Sequence, residues 1–154
     1  MGVGTNLLKK SIRWSGLPTQ EEVDENEGFV YIIKNLKDNM YYIGKKSFWS
    51  NRTLKPLKGK TRKRHVRTES EWRSYCGSSN WLNEDIESMG IENFSKQILK
   101  VCRTKSELSY EELLWQIKLD VLKDLKSYNM IVNVRISVRK DKDICKAVVI
   151  EDEN

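Results

Sequence analysis

The sequence is poor in histidine and cysteine. It holds one histidine, His65, and three cysteines, Cys76, Cys102 and Cys145, with no Cys-x-x-Cys pair. That inventory argues against a structural zinc centre, which draws four Cys and His ligands from short spacings. Three widely spaced thiols do not make a disulfide framework, so reduced cysteines are expected. No apolar run nears bilayer-spanning length, and the N-terminus lacks the apolar stretch of a secretory signal, so a cytoplasmic protein is expected. No internal repeat is visible. Acid is missing from one place above all: residues 45–67 hold ten Lys/Arg and no Asp or Glu.

What is present fits one small domain. The 154 residues are 38% hydrophobic and 32% charged, enough to build a core under a very polar surface. The net charge is +6, and the segment from Lys45 to Arg67 carries more than all of it. The rest of the chain is mildly acidic. Such asymmetry points to a polyanionic partner, most simply nucleic acid. Lys45, Lys46, Lys58, Lys60, Arg62, Lys63, Arg64, His65 and Arg67 are the candidate DNA contacts.

Along the chain, residues 1–27 read as a flexible arm with a short helix around Leu7–Trp14. The domain is expected over 28–138 and a frayed tail over 139–154. "FVYIIKN" and "MYYIGKK" read as two strands joined by a turn at Lys37–Asn39. Residues 45–68 have no clear period and read as a long basic loop. Ser78 or Ser79 can cap a helix whose Leu82, Ile86 and Met89 share a face, and Gly90 closes it. "NFSKQILKVC" alternates as a third strand, with Phe94, Lys96 and Ile98 opposite Gln97, Leu99 and Val101. Thr104 and Glu107 form a capping-box pattern ahead of a helix expected to run to about Lys126. "MIVNVRISV" suits a last strand. The order β-β-loop-α-β-α-β describes an α+β domain with a small antiparallel sheet.

Tyr31 and Tyr42 admit two readings. They could be ordinary sheet aromatics, or their hydroxyls could converge on one reactive centre. A phenol can orient or deprotonate a water, but its ordinary pKa near ~10 demands help from cations or a metal. Trp72, Trp81 and Trp115 read as core. Phe48 and Trp49, among cations, suit either packing of the basic loop or contact with distorted DNA. His65 reads as a surface residue rather than a catalyst.

"FVY" at 29–31 followed by "YIG" at 42–44 resembles the paired motif of the GIY-YIG nucleases, with Phe29 and Val30 where the name has Gly-Ile. The likeness continues. "GSSNWLNEDIESMGIENFSKQIL" resembles the helix-then-strand segment of phage-type members, "SYEELLWQ" their glutamate helix, and "SYN" the tyrosine-asparagine step after it. Four segments in order, from Gly28 to Val134, are most similar to phage homing-type endonucleases.

The resemblance implies metal-dependent hydrolysis of a DNA phosphodiester, as a nick or a double-strand break. It makes Tyr31 the general base or water-positioning group and Tyr42 a hydrogen-bonding partner, while Gly44 lets the backbone pass close. A glutamate would hold one divalent cation, normally Mg²⁺, with Mn²⁺ as a substitute. Periodicity alone does not separate Glu111 from Glu112. Glu111 sits beside Lys118 and Glu107, as for a solvated ion pair. Glu112 shares a stripe with Leu108, Trp115 and Leu119, where an acid is out of place. The Glu-x-x-Trp spacing of the resemblance also favours Glu112. The family's arginine corresponds by spacing to Arg52, with Arg73 as its rival. The implied partner is double-stranded DNA, in the host cytoplasm if the gene is a phage's, with a homodimer as one route to double-strand cleavage. A DNA-binding module of the same fold without catalysis is the alternative. It would have no reason to keep Tyr31, Tyr42 and Glu112 together.

Overall fold

In the computed structural model, which describes residues 13–132 and 135–137, the strand β2 (Gly28–Asn35) runs through the middle of the molecule. It pairs antiparallel with β3 (Tyr41–Ser47) on one side and β6 (Phe94–Cys102) on the other. A two-residue strand β1 (Trp14–Ser15) adds parallel to β6, giving the order β1-β6-β2-β3. The fold is therefore α+β with a mixed sheet, where a purely antiparallel one was expected.

Alternation on β2 makes two cores. Phe29, Tyr31 and Ile33 face one side, with Trp14, Phe48, Trp72, Leu82, Phe94 and Tyr128. Val30 and Ile32 face the other, with Ile43, Cys102, Leu108 and Val121. Helix α2 (Asn80–Met89) lies on the first side, capped by Ser79 and ended by Gly90. Helix α3 (Lys105–Lys118) covers the second. Thr104 accepts from Glu107 N, while the Glu107 carboxylate accepts from Arg103 N. Buried thiol Cys102 has its pKa pushed up to about 12 by burial.

Strict alternation fails on β6. The register shifts between Val30 and Tyr31, which face Lys100 and Ile98 respectively. Leu99 is the extra residue of this bulge, so the strand changes parity there. Val101 consequently joins the first core, while Leu99 and Cys102 belong to the second. The same shift turns Lys100 toward α3, where it pairs with Glu111 at 2.5 Å and Glu107 at 3.8 Å.

Three other expectations are corrected. The fold begins before Gly28: Trp14 is 4% exposed and Val23, on α1 (Gln20–Glu25), is fully buried. Thr19 and Glu22 form a complete capping box on α1. Residues 7–12 of the expected first helix lie outside the described residues, and Trp14 is in a strand. Helix α3 stops at Lys118 rather than Lys126. Asp120 takes a left-handed φ of 51°, Val121 N donates to Gln116 O, and Asp120 N donates to Ile117 O. This Schellman ending buries Val121 and turns the chain back toward the sheet. The described part of the expected last strand, residues 130–132 and 135–137, is not a strand. Asn133, Val134 and the tail from 138 lie outside the described residues.

The basic loop is not a loop. Trp49–Leu54 (β4) and Arg64–Glu69 (β5) pair antiparallel over six positions as a separate two-stranded ribbon. Its root is held by the buried Phe48, which packs on Phe29 and Trp72. Trp49 Nε1 donates to Asn26 O at 2.8 Å, and Arg67 lies over the Trp49 ring and bridges to Glu27. The period was unreadable because most of the ribbon is exposed on both faces, so no apolar alternation marks it.

Candidate active site

Among the described residues, strand β3 has no strand on its outer edge. Part of that edge is closed by the returning chain: Tyr41 N donates to Lys126 O, Tyr128 N to Tyr41 O, and the Asn129 side chain bonds both Ile43 N and Ile43 O. Tyr128 is fixed in turn, its hydroxyl donating to Asp85 at 2.7 Å and accepting from Asn35. Beside this seal a cleft of about 580 Å³ opens.

Tyr42, Lys45 and Glu112 meet in that cleft, with Ser78, Gln116 and Asn129 around them. Neighbouring side chains of β3 point to opposite faces, so Tyr42 comes from the first core's side and Lys45 from α3's side. The cleft gathers both because it wraps the strand's edge. Lys45 Nζ lies 2.9 Å from Glu112 Oε2 and donates to Ser109 Oγ at 2.9 Å. The Tyr42 hydroxyl is 3.3 Å from Ser78 Oγ. Burial raises the Tyr42 pKa, and the Ser78 bond partly opposes this.

Tyr31 stands directly behind Tyr42, ring centroids 6.2 Å apart, and is 1% exposed. Its hydroxyl reaches toward two glycines. A Cβ on Gly44 would lie 2.5 Å from the Tyr31 oxygen and 2.8 Å from the Tyr42 ring, and one on Gly77 would touch the Tyr42 ring and the Tyr31 hydroxyl. The bare Gly44 backbone is what lets the two tyrosines sit together. Burial first, then neighbouring Tyr75 and Tyr42, hold the Tyr31 pKa well above the ordinary phenol value. The group is a neutral phenol at neutral pH. It can orient a water or donate a hydrogen bond.

Other sequence candidates lie elsewhere. Glu111 pairs with Lys100 of β6, not with Lys118, which stacks on Trp115. Arg52 is exposed on β4 opposite Val66. Arg73 pairs with Glu69, donates to Gln20 and stacks on Trp72. Neither arginine lines the cleft. Lys46 sits 4.3 Å over the Tyr75 ring. Lys58, Lys60, Arg62 and Lys63 occupy the ribbon's tip loop, and Arg64, His65 and Arg67 its second strand. Trp81, expected in the core, is 41% exposed and packs edge-on against Tyr128 at the cleft wall.

Sequence reasoning assigned Tyr75, Ser78, Gln116 and Asn129 no site role, although Ser78 reads as a helix cap and Gln116 and Asn129 fall in "SYEELLWQ" and "SYN". Gln116 is one helical turn beyond Glu112, a spacing that could have flagged it. Tyr75 carried no local signal, because only the chain's return brings it edge-on to Tyr31 at 6.1 Å.

Among the described residues, no three His, Cys, Asp or Glu side chains gather as a metal cluster. Among the described residues, Glu112 is the one carboxylate lining the cleft, which Gln116 also lines. That donor set fits a hard cation that keeps most of its waters, since Mg²⁺ needs only one or two carboxylates when phosphate oxygens complete its shell.

A family model described as "Putative endonuclease segE, GIY-YIG domain" matches residues 14–134. No curated protein and no solved structure matches the chain.

Proposed function

The chain belongs to this GIY-YIG endonuclease-domain family, and from that premise we propose that it is a divalent-metal-dependent endonuclease hydrolysing DNA phosphodiesters in the cleft at the β3 edge. The observation that carries the reading is the convergence of Tyr42, Lys45 and Glu112 in one cleft, with Tyr31 immediately behind.

Hydrolysis of a phosphodiester needs a placed water, relief of negative charge on the phosphorus oxygens and help for the leaving oxygen. Tyr31 and Tyr42, as neutral phenols, orient the attacking water and hydrogen-bond the phosphate. Lys45 neutralises phosphate charge, the role the resemblance gives to an arginine, while Arg52 and Arg73 serve the flanking DNA. Glu112, with Gln116, would hold a Mg²⁺ ion, which supplies Lewis-acid stabilisation of the developing charge. With one such centre per chain, a double-strand break requires two chains or two successive nicks. The likeness to phage homing-type enzymes extends the proposal to homing or to cutting a competitor's DNA.

Supercoiled plasmid with Mg²⁺ tests this directly. The wild type should nick or linearise it, and chelation should stop the reaction. Glu112→Ala should lose activity by at least about 10²-fold while keeping its circular-dichroism spectrum and its DNA affinity. Undiminished cutting by Glu112→Ala would overturn the assignment. Mapping products on phage and host DNA distinguishes the biological roles.

A further inference from the structure

Among the described residues, the β4–β5 ribbon packs on the domain only through its root. Two strands exposed on both faces are marginal in water, so something else accounts for an arm held out from the domain. Its root is fastened by Phe48, Trp49 and Arg67, while the rest stands clear. Residues 55–63 at the tip carry five Lys/Arg and no acid, and the only acid in either strand, Glu69, is at the root.

The two faces differ. Register puts Asn51, Thr53, His65 and Arg67 on one face, and Arg52, Leu54, Arg64 and Val66 on the other. The first face carries amide, hydroxyl and imidazole groups, with the Arg67 guanidinium turned to Trp49 and Glu27. Thr53 Oγ1 and His65 Nδ1 lie 3.3 Å apart across the strands. Amides and hydroxyls are side chains that hydrogen-bond base edges. This face also borders a second cleft, whose lining includes Asn51, Trp49, Lys45, Lys46, Lys105 and the acid Glu27. Lys45 lines the candidate active site as well. Lys45 therefore links the ribbon's polar face to the candidate active site.

Resting on the DNA-nuclease reading, we infer that the ribbon lies in the major groove of the substrate duplex, with the Asn51–Thr53–His65 face toward the base edges and the tip cations on the backbone. Six residues at ~3.4 Å each span roughly 20 Å. The major groove, ~12 Å wide, admits a two-stranded ribbon, whereas the minor groove, ~6 Å wide, does not without deformation. Sequence preference then resides in the ribbon and the chemistry in the β3-edge cleft.

The groove is tested by binding, with full-length Glu112→Ala protein and three probes. These are a plain duplex, one with glucosylated 5-hydroxymethylcytosine filling its major groove, and one preloaded with the minor-groove ligand netropsin. Glucosylation should weaken binding at least tenfold and netropsin less than twofold. The reverse order, or equal affinity for plain and glucosylated duplex, would overturn the inference, as would the absence of salt-dependent duplex binding. Asn51→Ala/Thr53→Ala/His65→Ala should erase guanine-N7 protection beneath the ribbon and flatten site preference. All three positions are exposed, so folding survives. Replacing Lys58, Lys60, Arg62 and Lys63 with Ser should cut the salt slope of log K by roughly 3 to 4. Cleavage of unmodified plasmid by the wild type reads the nuclease proposal separately, so either idea can fail alone.

Discussion

Lys45 Nζ lies 2.9 Å from Glu112 Oε2, joining the edge strand β3 to the helix on the sheet's second face. Among the described residues lining the cleft, the contact joins the one carboxylate to the one cation. Both side chains remain partly open to solvent, which suits groups that exchange partners when a phosphate arrives.

Lys45→Ala should therefore reduce kcat by about 10²-fold. Arg52→Ala, on the ribbon and outside the cleft, should weaken DNA binding with kcat nearly intact. Steady-state kinetics on a nicked-plasmid assay separates the two. Loss of kcat in Arg52→Ala with an unaffected Lys45→Ala would reverse the assignment.

Tyr31→Phe removes only an oxygen from a packed ring, so the melting temperature should hold within a few degrees. Turnover should drop about 10²- to 10⁴-fold if the hydroxyl handles the water. Because burial raises this phenol's pKa, it is neutral across pH 6–9. The wild-type pH–rate profile should contain no limb in that range that Tyr31→Phe abolishes. The raised pKa also means that the unfolded chain loses this proton first, so its contribution to stability is present below pH ~10 and is lost as pH climbs through the folded value.

Gly44→Ala would press a methyl to 2.5 Å from the Tyr31 oxygen and 2.8 Å from the Tyr42 ring. We expect destabilisation of about 1–3 kcal/mol and severe loss of activity. Adding Tyr31→Phe should recover little, since the same methyl also meets the ring carbon at 2.7 Å. Urea denaturation of the single and double variants measures both.

Lys96 is 2% exposed, donates to the carbonyls of Tyr75 and Arg73, and lies over the Trp14 ring. Burial lowers its pKa from 10.5. Between the folded value and 10.5 the unfolded chain binds more protons, so stability from this group rises with pH across that window. The stability of wild type relative to Lys96→Met should accordingly increase as pH approaches 10.5, as read by denaturant titrations. A pH-independent difference would show an amine with its ordinary pKa.

Several elements were legible because their signals are local. The β2–β3 hairpin, the Ser79 and Gly90 ends of α2 and the Thr104 start of α3 each follow from a few adjacent residues. The Leu99 bulge was not legible, because one extra residue on β6 has meaning only against β2. The ribbon was hidden for a related reason: backbone pairing defines it, and exposed strands need no apolar rhythm. The stop of α3 was missed because Asp120 tolerates left-handed backbone less conspicuously than glycine.

The chain's own order of residues determined that two tyrosines flank a tight hairpin, that a capped helix carries Glu112, and that ten cations gather between them, since each depends on short-range propensity or plain charge count. Only the tertiary structure decided which cation meets Glu112. That choice depends on strand parity, on the free edge of β3 and on the returning segment at Asn129, and these are distances between elements far apart in sequence. It put Lys45 in the cleft and both candidate arginines outside it.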